Sequence, residues 1–190
     1  MNAQEKKELR IKVAKDVLKS LNLYKVASGE VFVRNNNIDL NPYLKKRNSK
    51  LIAQRLKKDC EVCALGACFL SLVKLDNKFN FFDGYDSYDD IPNGFMPDAK
   101  PFFRRLKNIF SVSQLILIES SFELGEGFFN EVTYVDWLAR DSGISAVVLE
   151  KNSKSIPDAV AFGGQFENDS ERLAAIMKNI IKNEGRFIPF

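Results

Sequence analysis

Cys60-Glu61-Val62-Cys63-Ala64-Leu65-Gly66-Ala67-Cys68-Phe69-Leu70-Ser71-Leu72-Val73-Lys74-Leu75 is the stretch that decides how this chain is built. Between Val62 and Val73 it carries no charge, and its only polar side chains are Cys and Ser. At helical spacing Cys60, Cys63, Ala67 and Ser71 form one stripe of small side chains, while Val62, Leu65, Phe69, Leu72 and Val73 supply bulk elsewhere. A helix apolar nearly all round must be enclosed by its neighbours. The pattern predicts a buried central helix over 60–75. Gly66 lies inside it, where a glycine costs about 1 kcal/mol relative to Ala and suits the close approach of another helix.

The rest of the chain agrees with a mainly α fold. Leu9, Val13, Val17 and Leu21 share one face of a helix over 3–21. Tyr24, Val26, Val31, Phe32 and Val33 around Ser28-Gly29 read as a small β-hairpin near the N-terminus. Asn41-Pro42 is a helix start, and the basic stretch after it reads as helical to about Lys58. Asp98 heads a helix carrying Phe102, Phe103, Leu106 and Ile109. Ser111 and Gln114 have capping-box spacing for a helix reaching about Glu123. A further helix is expected from about Asn130 to Arg140, while 144–166 reads as either strand or loop, with Gly163-Gly164 as a turn. Asn168 and Glu171 cap a last helix whose Leu173, Ile176, Met177, Ile180 and Ile181 are apolar, and Gly185 ends it. Phe187-Ile188-Pro189-Phe190 is too apolar to extend into water and is expected to dock. There is no internal repeat or linker, so residues 1–190 are expected to form a single domain.

Composition closes several functional classes. The chain has 190 residues, is 45% apolar and 28% charged, and carries a net charge of +3. No apolar run approaches the length of a bilayer span, and the charged start Gln4-Glu5-Lys6-Lys7-Glu8 is not a secretory signal. Three cysteines within nine residues do not make a disulfide framework, so a reduced, cytoplasmic protein without membrane association is expected. Histidine is absent. That excludes Ser-His-Asp and Cys-His catalysis within the chain and any His-ligated zinc.

The cysteines themselves read as core. Cys60-x2-Cys63-x4-Cys68 has no fourth Cys or His to complete a metal set, and on one helix its ends lie about 12 Å apart along the axis. Free cysteine is a small, commonly buried hydrophobe. Cys60 alone invites a test for reactivity, because a helix start beside Lys57 and Lys58 would stabilise a thiolate.

Charge is segregated. Lys45, Lys46, Arg47, Lys50, Arg55, Lys57 and Lys58 form a basic stretch without an acid. Asp83, Asp86, Asp89, Asp90 and Asp98 form an acidic one without a base, interleaved with Phe81, Phe82, Tyr85 and Tyr88. Such a dipole can steer a charged partner. Lys45, Lys46, Arg47 and Lys50, with Tyr85, Asp86, Tyr88, Asp89 and Asp90, are the candidate binding residues. The leading expectation is a non-enzymatic binding or regulatory protein with no resident cofactor. A host or phage protein is the first partner class, nucleic acid the second, and a buried small-residue helix also suits homodimerisation. The rival is a divalent-metal-dependent hydrolase or transferase using the carboxylates of Asp83, Asp86, Asp89 and Asp90, since clustered oxygens suit Mg²⁺ or Ca²⁺. A third reading is a sponge for a small nucleotide-like ligand.

Cys63-Ala64-Leu65-Gly66-Ala67 is joined by Gln114-Leu115-x-x-Ile118-Glu119-x-x-Phe122-Glu123 and by Arg172-Leu173-x-x-Ile176-Met177-x-Asn179-Ile180-Ile181-x-Asn183. Together these resemble small proteins carried by phages and their bacterial hosts, with a Cys-x-x-Gly-Ala buried helix. The resemblance covers mostly helix-packing positions and brings no catalytic motif. It implies an accessory protein of a mobile element that acts by binding a host component.

Overall fold

The computed structural model describes residues 1–28, 33–34, 49–76, 104–124 and 154–190. Within these the chain is mainly helical. α1 spans Ala3–Lys19, opened by a reciprocal cap in which Asn2 Oδ1 accepts the Glu5 N–H and Glu5 accepts the Asn2 N–H. A short 3-10 turn, Leu21–Leu23, leads into β1, Lys25–Val26. β2 is Val33–Arg34, α2 is Ser49–Asp59, β3 is Glu61–Val62 and α3 is Ala64–Asp76. α4 spans Val112–Phe122, α5 Ile156–Gly163 and α6 Asp169–Lys182.

The β element differs from a hairpin. β1 and β2 do not pair with each other; β3 lies between them, parallel to β1 and antiparallel to β2, with Val62 opposite Val26 and Val33. The expected turn around Ser28-Gly29 therefore does not close two neighbouring strands. β3 also takes up the residues read as the first turn of the apolar helix, so α3 begins at Ala64 rather than at Cys60. From Val62 to Val73 every residue is buried. α3 packs against α1, α2 and α4, while α4 packs in turn against α5 and α6, and α6 returns to α1.

Local capping matches the sequence reading where it can be checked. Ser111 Oγ accepts the Gln114 N–H at 3.2 Å, and Asn168 Oδ1 accepts the Glu171 N–H at 2.9 Å. Gln114 does not complete a reciprocal box. Its side-chain amide instead holds the backbone of Phe187, donating to the carbonyl at 3.0 Å and accepting the N–H at 2.5 Å. Asn179 does the same for Ile188, at 2.6 and 2.8 Å. Two side-chain amides thus satisfy the terminal backbone as a neighbouring strand would, and Phe187 is buried as expected while Phe190 stays exposed. The reading of 144–166 as strand or loop is corrected over Ile156–Gly163, which forms α5 and takes Gly163 out of the expected turn; Pro157 occupies the first helical turn, where a missing N–H costs nothing. The expected helices over 41–48, 98–103 and 130–140, and the stretch 144–153, lie outside the described residues.

Candidate functional site

Of the residues proposed from sequence, Lys45, Lys46, Arg47, Asp83, Tyr85, Asp86, Tyr88, Asp89 and Asp90 lie outside the described residues. Lys50 and Lys58 are exposed on α2, and Arg55 is half-buried. Lys57 departs from the basic face. Ile52, Ala53 and Leu56 set the inward side of α2, and one turn beyond Ala53 the Lys57 side chain enters the core, 3% exposed. There its ammonium donates to Asp16 Oδ2 at 2.5 Å and to Ser71 Oγ at 3.0 Å, 5.4 Å from the centre of the Tyr24 ring. Lys74 pairs with the other Asp16 oxygen, and the Tyr24 hydroxyl meets Ser71 at 3.1 Å. Burial works against the Asp16 carboxylate, but hydrogen bonds from Lys57 and Lys74 more than compensate and hold its pKa below the ordinary value. This network ties α1, α2 and α3 together; it is structural.

The three cysteines form no disulfide and are buried. Cys60 follows the C-terminal end of α2, where the helix dipole opposes a thiolate, so the expected helix-start environment does not exist there. Cys68 faces α6, its Sγ 3.9 Å from Met177 Sδ, and burial pushes its thiol up to about 12. All three thiols should therefore stay unreacted with a water-soluble disulfide reagent in the native protein and be titrated fully in denaturant. A thiol labelled in the native state faster than the fold opens would contradict this burial.

Cys63 occupies the position before α3. Its Sγ accepts the Gly66 N–H at 3.5 Å, so the thiol caps the helix and points toward α4. α4 is buried on nearly every side, yet it and its C-terminal cap carry two acids four residues apart, Glu119 and Glu123, which share a face. Cys63 Sγ and one oxygen from each carboxylate lie within 4.8 Å of one another. Glu119 is 6% exposed, and among the described residues its Oε2 has no hydrogen-bond partner. Burial, and next the Glu123 carboxylate, push the Glu119 pKa well above the usual range; burial, and next Glu119, raise the Cys63 thiol. The sequence signal for this cluster is two acids on one face of an otherwise apolar helix.

A second feature lies on the surface. The N-terminal half of α1 and the end of α6 enclose an open concavity of about 520 Å³, lined by Lys7, Arg10, Lys182, Arg186 and one carboxylate, Glu184. Gly185, at φ +86°, makes the turn there; a Cβ would meet the Lys7 carbonyl at 2.9 Å. Arg10 is held in place by donating to the carbonyls of Gly185 and Ile109, each at 2.6 Å. Lys7 pairs with Glu184 at 2.8 Å. Burial, and then repulsion from Arg186, lower the pKa of Arg10.

No protein-family model, curated protein or solved structure matches this chain. Among the described residues, no helix is long and apolar enough to cross a membrane.

Proposed function

We propose that this chain is a non-enzymatic binding or regulatory protein, an accessory protein of phage type, that docks an acidic surface of a host or phage protein. The observation that carries the reading is the concavity where Lys7, Arg10, Lys182 and Arg186 face one carboxylate. Arg10 and Arg186 repel each other in the free protein, and an incoming carboxylate would relieve that repulsion. A protein partner fits better than nucleic acid because the net charge is only +3, low for a dedicated phosphate-backbone binder. In the sequence, the basic stretch with Lys45, Lys46, Arg47 and Lys50 and the acidic–aromatic stretch with Tyr85, Asp86, Tyr88, Asp89 and Asp90 are further candidate binding segments for the same partner.

The test is fluorescence anisotropy with an acidic poly-glutamate peptide and, separately, a DNA duplex. Lys7→Glu combined with Arg186→Glu should weaken peptide binding at least about tenfold, since each reversal is worth about 1 kcal/mol or more at contact distance. Both positions are spared the anchoring role of Arg10, so the fold should survive. Unchanged binding in this variant and in the triple reversals of Lys45, Lys46, Arg47 and of Asp86, Asp89, Asp90 would overturn the reading. Tighter, steeply salt-dependent binding of the duplex would reassign the partner class to nucleic acid.

A further inference from the structure

We propose that Cys63, Glu119 and Glu123 form a binding site for a divalent transition metal of the zinc type. The proposal is independent of the docking surface, which lies on other residues.

Three elements of unlike chemistry converge here. A thiol at the head of α3 meets two carboxylates from one face of α4, with the three donor atoms within 4.8 Å of one another. All three side chains are at least nine-tenths buried. Burying carboxyl and thiol groups together is costly unless they are compensated, and among the described residues the buried Glu119 Oε2 has no hydrogen-bond partner. A divalent ion supplies the missing partner. In a tetrahedral zinc site, Zn–S near 2.3 Å and Zn–O near 2.0–2.2 Å set donor separations of about 3.4–3.6 Å. Rotation of the Glu side chains by roughly an ångström closes the present spacing to that value.

Donor type selects the ion. Mg²⁺ and Ca²⁺ take oxygen ligands, whereas a thiolate favours zinc and its neighbours. Binding would displace the thiol proton and a carboxyl proton to solvent. One sulfur and two carboxylates are three ligands, the number found in centres that keep a fourth position for water or a ligand. The cysteine spacing alone shows none of this, because the completing donors lie 56 and 60 residues further along the sequence rather than at Cys60 or Cys68.

Cobalt(II) is the probe. Titrated into metal-stripped wild-type protein, it should develop the intense visible bands of tetrahedral cobalt and a thiolate-to-cobalt charge-transfer band in the near ultraviolet. Zinc should bleach both and raise the melting temperature in a concentration-dependent way. Cys63→Ser should abolish the charge-transfer band, while Cys68→Ser should retain it. Glu119→Gln should weaken cobalt binding by more than about 100-fold, beyond the loss usual for an outer-shell residue. Wild-type protein that shows neither bands nor a zinc-dependent melting shift would overturn the proposal and leave the cluster a hydrogen-bonded acid pair. A charge-transfer band that survives Cys63→Ser would overturn it too, by placing the metal elsewhere. The wild-type titration decides even if a variant fails to fold.

Discussion

Asp16→Ala should lower the stability of the fold by about 3–5 kcal/mol, the cost of leaving a buried partner charge uncompensated. Asp16 holds Lys57 at 2.5 Å and also pairs with Lys74; the Lys57 side chain is only 3% exposed, against 27% for Lys74. With the carboxylate gone, Lys57 keeps, among the described residues, only the Ser71 hydroxyl and the face of Tyr24. Burial already lowers the Lys57 pKa, and Asp16 is what draws it back. Lys57→Met should cost far less, because Asp16 retains Lys74 and an apolar side chain fills the space. Adding Lys57→Met to Asp16→Ala should therefore recover much of the loss. Urea unfolding of the four proteins measures the cycle, and additive costs for the two substitutions would show that the ion pair is not what holds these helices.

The same network has a pH signature. The folded Asp16 carboxyl has a lowered pKa, so the unfolded chain binds its proton more readily. Its contribution is complete above the unfolded value near 3.9 and is lost as pH falls through the lower folded value. Wild type should lose stability more steeply below about pH 4 than Asp16→Ala does. Parallel curves would remove Asp16 from the acid response.

Which parts of this were legible beforehand follows from where the information sits. α1, α4 and α6 are readable because periodicity and caps are local: Ser111 and Asn168 both cap as their spacing predicts. The sheet is not, since each strand is two residues long and its central strand arrives from beyond α2. A two-residue strand has no alternation to detect. Tyr24 to Arg34 reads as a hairpin because strands close in sequence commonly pair with each other. Lys57 was legible in principle. The phase of Ile52, Ala53 and Leu56 fixes it inward, but within seven cations its charge outweighed its phase. Glu119 and Glu123 show the same conflict, a polar residue on a buried face, and such conflicts gather where a chain does something other than pack. Glu119 lies within 4.8 Å of Cys63, and no local pattern links residues so distant in sequence.

Gly163→Ala should destabilise by about 3 kcal/mol, the upper end for overpacking, because here the obstacle is backbone. A Cβ at Gly163 would stand 1.8 Å from the Ser121 carbonyl oxygen and 3.0 Å from Leu124 Cδ2. The carbonyl belongs to α4 and cannot rotate aside, so α5 and α4 must part by more than an ångström. Parting them also disturbs Arg172, which donates to the carbonyls of Gly163 at 3.3 Å and Phe122 at 2.8 Å. Helix propensity acts the other way, favouring Ala over Gly by about 1 kcal/mol, so a net loss isolates the steric term. Gly164→Ala is the internal control: its nearest atoms lie at 3.5 and 3.8 Å, and it should be neutral or stabilise by up to about 1 kcal/mol. Thermal and urea unfolding of the two variants would measure the contrast. The displaced helix is the one that carries Glu119, so Gly163→Ala should also weaken cobalt binding at Cys63 where it still folds. A Gly163→Ala protein as stable as wild type would mean that α5 does not cross α4 at Ser121, and the position assigned to the carboxylates beside Cys63 would fall with that crossing.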